Sequence, residues 1–232
     1  MLVLDLTRPL DESTPVYRDA RGYSDPPTRL IAWVGVGDEI GGAGSGLRSP
    51  FRVTRLEMAL HTGTHVDAPA HFAPGGRMLD ALPVSALVGP AIVVNLSAAT
   101  GDAQSRDLAR HRERASAPGV IPLVLMPSDG RLAAGAIAAI VAWRRPLVCV
   151  RGGIDGDDPD CPATAALLRA GICLAVDLAS EAEQVRNGDL LVVAPLALRG
   201  VEGAPARVLA IRLTPGDSRA FVEQPRKPQA TS

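Results

Sequence analysis

Residues 61–72 read His-Thr-Gly-Thr-His-Val-Asp-Ala-Pro-Ala-His-Phe and hold three of the chain's four histidines. His61, His65, Asp67 and His71 thus fall within one short segment. Two imidazoles and a carboxylate at close spacing suit a divalent metal ion with coordination positions left open. The extra imidazole, His71, is a natural proton carrier near neutral pH. A hydrogen-bonded histidine cluster without metal is the bland alternative, and the density of ligand-type side chains speaks against it.

Histidines at i and i+4 resemble the helical zinc-protease pattern, but this segment does not suit a helix. Gly63 and the β-branched Thr62, Thr64 and Val66 disfavour one, Pro69 would break one, and no Glu follows His61. The ligands are therefore expected to converge from a turn-rich loop that Gly63 bends sharply. Asp67 can bind metal directly or accept a hydrogen bond from a ligating imidazole. Before the loop, residues 51–61 alternate as a strand, with Phe51, Val53, Arg55, Glu57, Ala59 and His61 on one face, so His61 is expected at a strand end.

Other strands are expected at residues 2–6, 91–96, 121–126, 147–150, 172–177, 190–194 and 206–213. Helices are expected at 104–115, 131–144 and 162–170. Pro162 and Gly171 stand in the usual order of helix start and stop signals. Strands alternating with a few helices indicate an α/β domain with a mixed sheet. Residues 11–50, with Pro26-Pro27 and the run Gly41-Gly42-Ala43-Gly44-Ser45-Gly46, read as a lid or loop within a single domain spanning 1–222. The tail from Glu223, residues 223–232, reads as disordered.

Composition bounds the function class. Of 232 residues 47% are hydrophobic and 21% charged, as in a core-forming globular protein, and at 3% aromatics the core must be mostly Ala, Val, Leu and Ile. A formal net charge of −1 gives no electrostatic footprint for nucleic acid or an anionic membrane. No apolar run reaches the roughly 18 residues of a membrane helix, and the first residues lack a signal peptide's basic and apolar regions. Cys149, Cys161 and Cys173 are widely spaced and form no C-x-x-C pattern. A cytoplasmic enzyme acting on a small molecule is the resulting expectation.

The 61–72 segment resembles the signature of the metal-dependent cyclase family, which includes bacterial kynurenine formamidases, isatin hydrolases and ring-closing enzymes of aromatic polyketide pathways. Leu4-Asp5-Leu6-Thr7 with Thr14-Pro15-Val16-Tyr17 resembles the family's opening, Gly153-Ile154-Asp155 an internal element and Val193-Ala194-Pro195-Leu196 its closing strand. The resemblance implies that His61, His65 and Asp67 bind the metal, typically zinc or manganese, and that His71 is the catalytic acid or base. It also implies a swivelling β/β/α fold and a homodimer or higher homo-oligomer.

The chain departs from hydrolytic members of the family at two positions. Where those often have a histidine and a glutamate that help hold a second metal or the water, this chain has Thr164 and Val176, with Asp177 one residue on. Neighbouring strand side chains point to opposite faces, so Asp177 does not simply replace a residue at 176. A single metal is expected. Met126-Pro127-Ser128-Asp129-Gly130 also replaces a usual Arg/Thr-Gly segment. Two reactions on a carbonyl substrate fit: aldol-type ring closure of a polyketide-like intermediate, the leading reading, and hydrolysis of an amide, formamide or lactam C–N bond. A metal-free, non-catalytic relative is a third. Asp155, Asp157, Asp158 and Asp160 are read as helix caps or solvated groups, Glu57 as structural, and Arg52, Arg55, Arg151 and His111 as solvated.

Overall fold

The computed structural model describes residues 1–19 and 21–214. The sheet is mixed, and seven of its strands close on themselves. In chain order the strands are β1 (Leu2–Asp5), β2 (Arg29–Val34), β3 (Glu39–Ile40), β4 (Leu47–Arg48), β5 (Val53–Glu57), β6 (His65–Asp67), β7 (Val88–Asn95), β8 (Ile121–Leu125), β9 (Leu147–Arg151), β10 (Cys173–Val176), β11 (Leu190–Pro195) and β12 (Gly203–Arg212). The helices are α1 (Asp102–Arg110), α2 (Arg112–Ala115), α3 (Ala134–Val141) and α4 (Pro162–Arg169). The order β12-β11-β7-β8-β9-β10-β6 returns to β12 through a β6–β12 pairing, and β1 flanks β12. The strands β7, β8, β9 and β10 run parallel, with helices in the connections between them.

The parallel strands read as continuous apolar runs because both their faces are covered. In β8, Ile121, Leu123 and Leu125 turn into the closed sheet with Ala91, Cys149, Ala175, Val66 and Val208. Val124 packs the other way, with Val94, Val148 and Leu174 against Leu108, Ile140, Trp143 and Leu167 of the helical layer. Small residues such as Ala91, Ala175 and Ala204 fill much of the narrow interior, as the low aromatic content requires.

Four expectations need correction. The strand expected over residues 51–61 ends at Glu57, so His61 lies in a turn and not at a strand end. The β2–β5 ladder stops at the Arg29–Glu57 pair, and the partner chain just beyond it contains Pro26 and Pro27, which have no N–H to donate. Residues 11–50 are not wholly loop: they contain β2, which is half of the two-stranded β2–β5 ribbon, and the β3–β4 hairpin, whose turn is the glycine run. The helix expected over 104–115 is divided at His111 into α1 and α2, and α3 begins only at Ala134, since Arg131 bridges to Asp155 and Leu132 bonds to Ile154. The tail from Glu223 lies outside the described residues.

Asp189 is the most heavily bonded buried carboxylate away from the loop of histidines. Arg212 donates Nε–H to Oδ1 at 2.9 Å and Nη2–H to Oδ2 at 2.7 Å, and the Arg186 amide adds a bond at 2.8 Å. Burial opposes the charge, but these donors hold the carboxyl below its ordinary range. A depressed pKa contributes stability above the unfolded value, about 4, and that contribution is lost as pH falls through the folded one. Asp189→Asn should therefore cost about 1–3 kcal/mol at pH 7. The gap between variant and wild type in urea midpoints should shrink towards pH 3; a constant gap would contradict the ion pair's role.

Candidate metal centre

Strand β6 delivers two of the four residues. Its side chains alternate, so Val66 enters the interior while His65 and Asp67 share the opposite face. Pairing on both sides, to Leu174–Val176 of β10 and Gly203–Pro205 of β12, fixes that face. The expectation of a loop source is thus corrected for His65 and Asp67: only His61 comes from the turn, and His71 from a short 3-10 turn at Pro69–His71. Gly63, at φ +65°, makes the turn, and a Cβ there would come within 2.5 Å of Leu10 Cδ2.

The four groups converge. His61 Nδ1 lies 2.7 Å from Asp67 Oδ1, and His65 Nε2 lies 3.1 Å from the same oxygen. His65 Nδ1–H donates to the Gly63 carbonyl at 2.7 Å, which fixes the tautomer and turns Nε2 towards Asp67. The His71 ring stacks on His61 at 3.9 Å and 21°. His61, His65 and Asp67 each offer one ligand atom, all within 4.8 Å of one another. Tetrahedral bonds of about 2.1 Å set ligand atoms about 3.4 Å apart, so a small relaxation admits a cation. His65 and Asp67 are buried, which suits a charge-balanced centre better than three groups competing for protons.

The charges are tightly coupled. Burial opposes protonation of His65, but Asp67, the Gly63 carbonyl and Asp177 together push it up to about 9. Burial likewise opposes the Asp67 charge, yet the two imidazoles hold this carboxyl well below the usual range. Partial desolvation and the neighbouring His61 push His71 below its ordinary value, so it is neutral at neutral pH and has a lone pair to accept a proton.

Sequence reasoning missed Glu202. It precedes β12, lines the same pocket and faces His61 Nε2 at 3.2 Å. Nothing in its local sequence signals this, because the contact arises only when β12 closes against β6. Gly203 also goes unnoticed in the sequence. A Cβ there would meet His61 Cε1 at 2.6 Å and the Val66 carbonyl oxygen at 2.9 Å. Gly203→Ala should displace the His61 ring and weaken any divalent-cation binding at this cluster at least about tenfold. Competition against a chromogenic chelator measures this, and unchanged affinity would show that His61 is not held by that approach.

The centre opens onto a pocket of about 940 Å³, lined by Tyr17, Tyr23, Met58, Leu60 and Phe72 as well as the histidines. Tyr17 and Tyr23 are thus brought to the site from the predicted lid, whereas Trp33 sits on the β2–β5 ribbon beneath Arg55. Thr164 reaches the pocket, but its hydroxyl is bonded to Asp155, which also accepts from the Ala163 amide and caps α4. Asp158 pairs with Arg131 and Asp160 with Arg21. Glu57 pairs with Arg55, and Arg151 with Glu183, as structural groups. Among the described residues, His61, His65 and Asp67 form the one cluster with ligand spacing.

Residues 4–131 match the family model described as "Putative cyclase". The chain is 30% identical over 171 residues to the kynurenine formamidase of Bacillus thuringiensis (strain Al Hakam), covering 68% of this chain and 78% of that protein. Its fold is similar to that of an isatin hydrolase bound to the product analogue thioisatinate, with a TM-score of 0.70, 20% identity and coverage of 91% and 92%. It is also similar to a protein described as a "potential metal-dependent hydrolase with cyclase activity", at a TM-score of 0.64, 25% identity and coverage of 92% and 99%. The sheet is mixed, as expected from the sequence, its closure is a finding of the structure, and the fold is one these neighbours share. With the signature residues gathered on β6 and its flanking turns, and with more than half the chain matched, this protein belongs to the cyclase family and is an enzyme.

Proposed function

We propose that the protein is a metal-dependent hydrolase of an amide, formamide or lactam C–N bond. The observation that carries the reading is the convergence of His61, His65 and Asp67 beside a stacked His71 at a pocket large enough for an aromatic amide. Two of the three named relatives, a kynurenine formamidase and an isatin hydrolase, support hydrolysis over the ring closure to which the sequence alone leans, and the third is itself described as a potential metal-dependent hydrolase, with cyclase activity.

His61, His65 and Asp67 would hold one divalent cation, zinc or manganese. The cation would supply Lewis acidity to a carbonyl oxygen and lower the pKa of water. His65 is pre-oriented by its bond to Gly63, and Glu202 braces His61 from the other side. His71 accepts a proton from the attacking water and returns it to the departing nitrogen. Tyr17, Tyr23 and Phe72 flank an aromatic substrate and limit competing water. A single cation is favoured because Val176 brings no donor and Thr164 Oγ1 is committed to Asp155. The β2–β5 ribbon exposes Leu30, Trp33 and Leu56, which supports a homo-oligomer, and no helix among the described residues is long and apolar enough to cross a membrane.

The test is turnover of N-formylkynurenine, formanilide and isatin by protein reloaded with zinc or manganese. Metal-dependent cleavage of at least one is expected. Failure on all three, with ring closure of a linear polyketide substrate instead, would overturn the hydrolase reading.

A further inference from the structure

A cleft of about 870 Å³ lies between the carboxyl ends of α1, α2 and α3, and it shares no lining residue with the pocket of the metal centre. Arg110, Arg112 and Arg144 stand on its wall, with Glu113 as the one carboxylate there. Arg110 is paired with Asp107 at 3.0 Å. The side chains of Arg112 and Arg144 form no ion pair or hydrogen bond among the described residues. Cations at helix carboxyl ends complement the helix dipole, but that field leaves these guanidinium donors unused.

Buried donors gather at the same place. Among the described residues six buried side-chain nitrogen and oxygen atoms have no hydrogen-bond partner, and three of them are Ser116 Oγ, Trp143 Nε1 and Arg145 Nε. Ser116 and Trp143 line the cleft. Arg145 is tied to it by an Nη1–H bond to the Ala117 carbonyl at 3.1 Å. Trp143 is 1% exposed, and an indole N–H can only donate, so its partner must be an acceptor. Leaving buried donors unpaired is costly, and several in one wall point to an acceptor from outside the chain. The backbone agrees. Arg144 takes φ +53° just past α3, the conformation in which glycine ordinarily ends a helix, so a guanidinium is kept there at a conformational cost.

We propose that this cleft is a second, non-catalytic site that binds the phosphoryl group of a small phosphorylated molecule. Arg112 and Arg144 supply forked, charge-assisted donors, and the Trp143 N–H and Ser116 hydroxyl donate beside them. Donors arriving from several directions suit a tetrahedral anion with three free oxygens better than a planar carboxylate. The cleft is large enough for an organic residue beyond the phosphate, beside Ala109, Ala117 and Ala142.

Trp143 is also the reporter, because Trp33→Phe leaves it as the single indole. Fluorescence titration of that protein with inorganic phosphate and with phenyl phosphate should saturate with a Kd below about 1 mM for at least one of them. Tighter binding of the phenyl ester identifies an organic phosphate and equal affinity identifies free phosphate; either supports the site. Calorimetry then compares variants. Arg112→Ala and Arg144→Gly should each weaken binding about tenfold or more, and so should Trp143→Phe, which keeps an aromatic ring but removes the donor. Arg144→Gly relieves the backbone, so its melting temperature should not fall, which separates lost binding from lost folding. Arg106→Ala, exposed on α1 outside the cleft, should change nothing. Equal weakening by Arg106→Ala would reduce the effect to a diffuse basic surface and overturn the site. Absence of saturation, unchanged affinity in Trp143→Phe, or equal affinity for malonate would overturn it as well.

Discussion

His71→Ala is expected to lower kcat by about 10²–10⁴ while metal content stays at the wild-type level. His71 stacks on His61 and opens onto the pocket, but it is not among the residues whose ligand atoms converge. Its ring is held neutral by partial burial and by the adjacent His61, the state a proton acceptor needs. Removing it leaves His65 and Asp67 in their β6 pairing and His61 in its turn, so the cation should remain. KM should change much less than kcat, since the ring acts mainly in proton transfer. Elemental analysis beside steady-state kinetics checks both halves. Loss of metal in this variant would make His71 a ligand and the division of roles wrong.

The second large effect is expected at Asp67. Asp67→Asn should reduce bound metal to below about a tenth per chain and activity to background. Its carboxylate is buried, and both ligand-type imidazoles converge on one of its oxygens, at 2.7 and 3.1 Å. The amide is neutral and cannot balance a cation, and it leaves the buried imidazoles without their anion. Asp67→Glu tests position against charge. It keeps the anion but lengthens the side chain within a fully buried three-residue strand, so metal affinity should fall with little recovery of turnover. Full metal content in Asp67→Asn would remove this residue from the ligand set.

These expectations show what the chain makes legible. The ligand-rich segment is readable because its side chains lie close in sequence, and the i, i+2 spacing of His65 and Asp67 already forces a shared face once the backbone is extended. The strand itself was hidden: β6 is three residues long and holds its place through β10 and β12, more than a hundred residues downstream. Glu202 and Gly203 were hidden for the same reason, since only closure of the sheet sets them against His61. The buried strands β8, β9 and β10 were legible from their apolar runs, while β5 was read too long because a periodicity says nothing about where its partner runs out of donors at Pro26-Pro27. The ring-closure preference failed to gain support because it drew on the residues at 164 and 176, whereas the curated relatives the chain matches are named kynurenine formamidase.

The most direct test is anomalous diffraction from crystals grown with excess zinc or manganese. A single strong peak is expected about 2.0–2.2 Å from a nitrogen of His61, Nε2 of His65 and a carboxylate oxygen of Asp67, with His71 beside it and unbonded. No peak there, with His61 and His65 still hydrogen-bonded to Asp67 under metal excess, would contradict it.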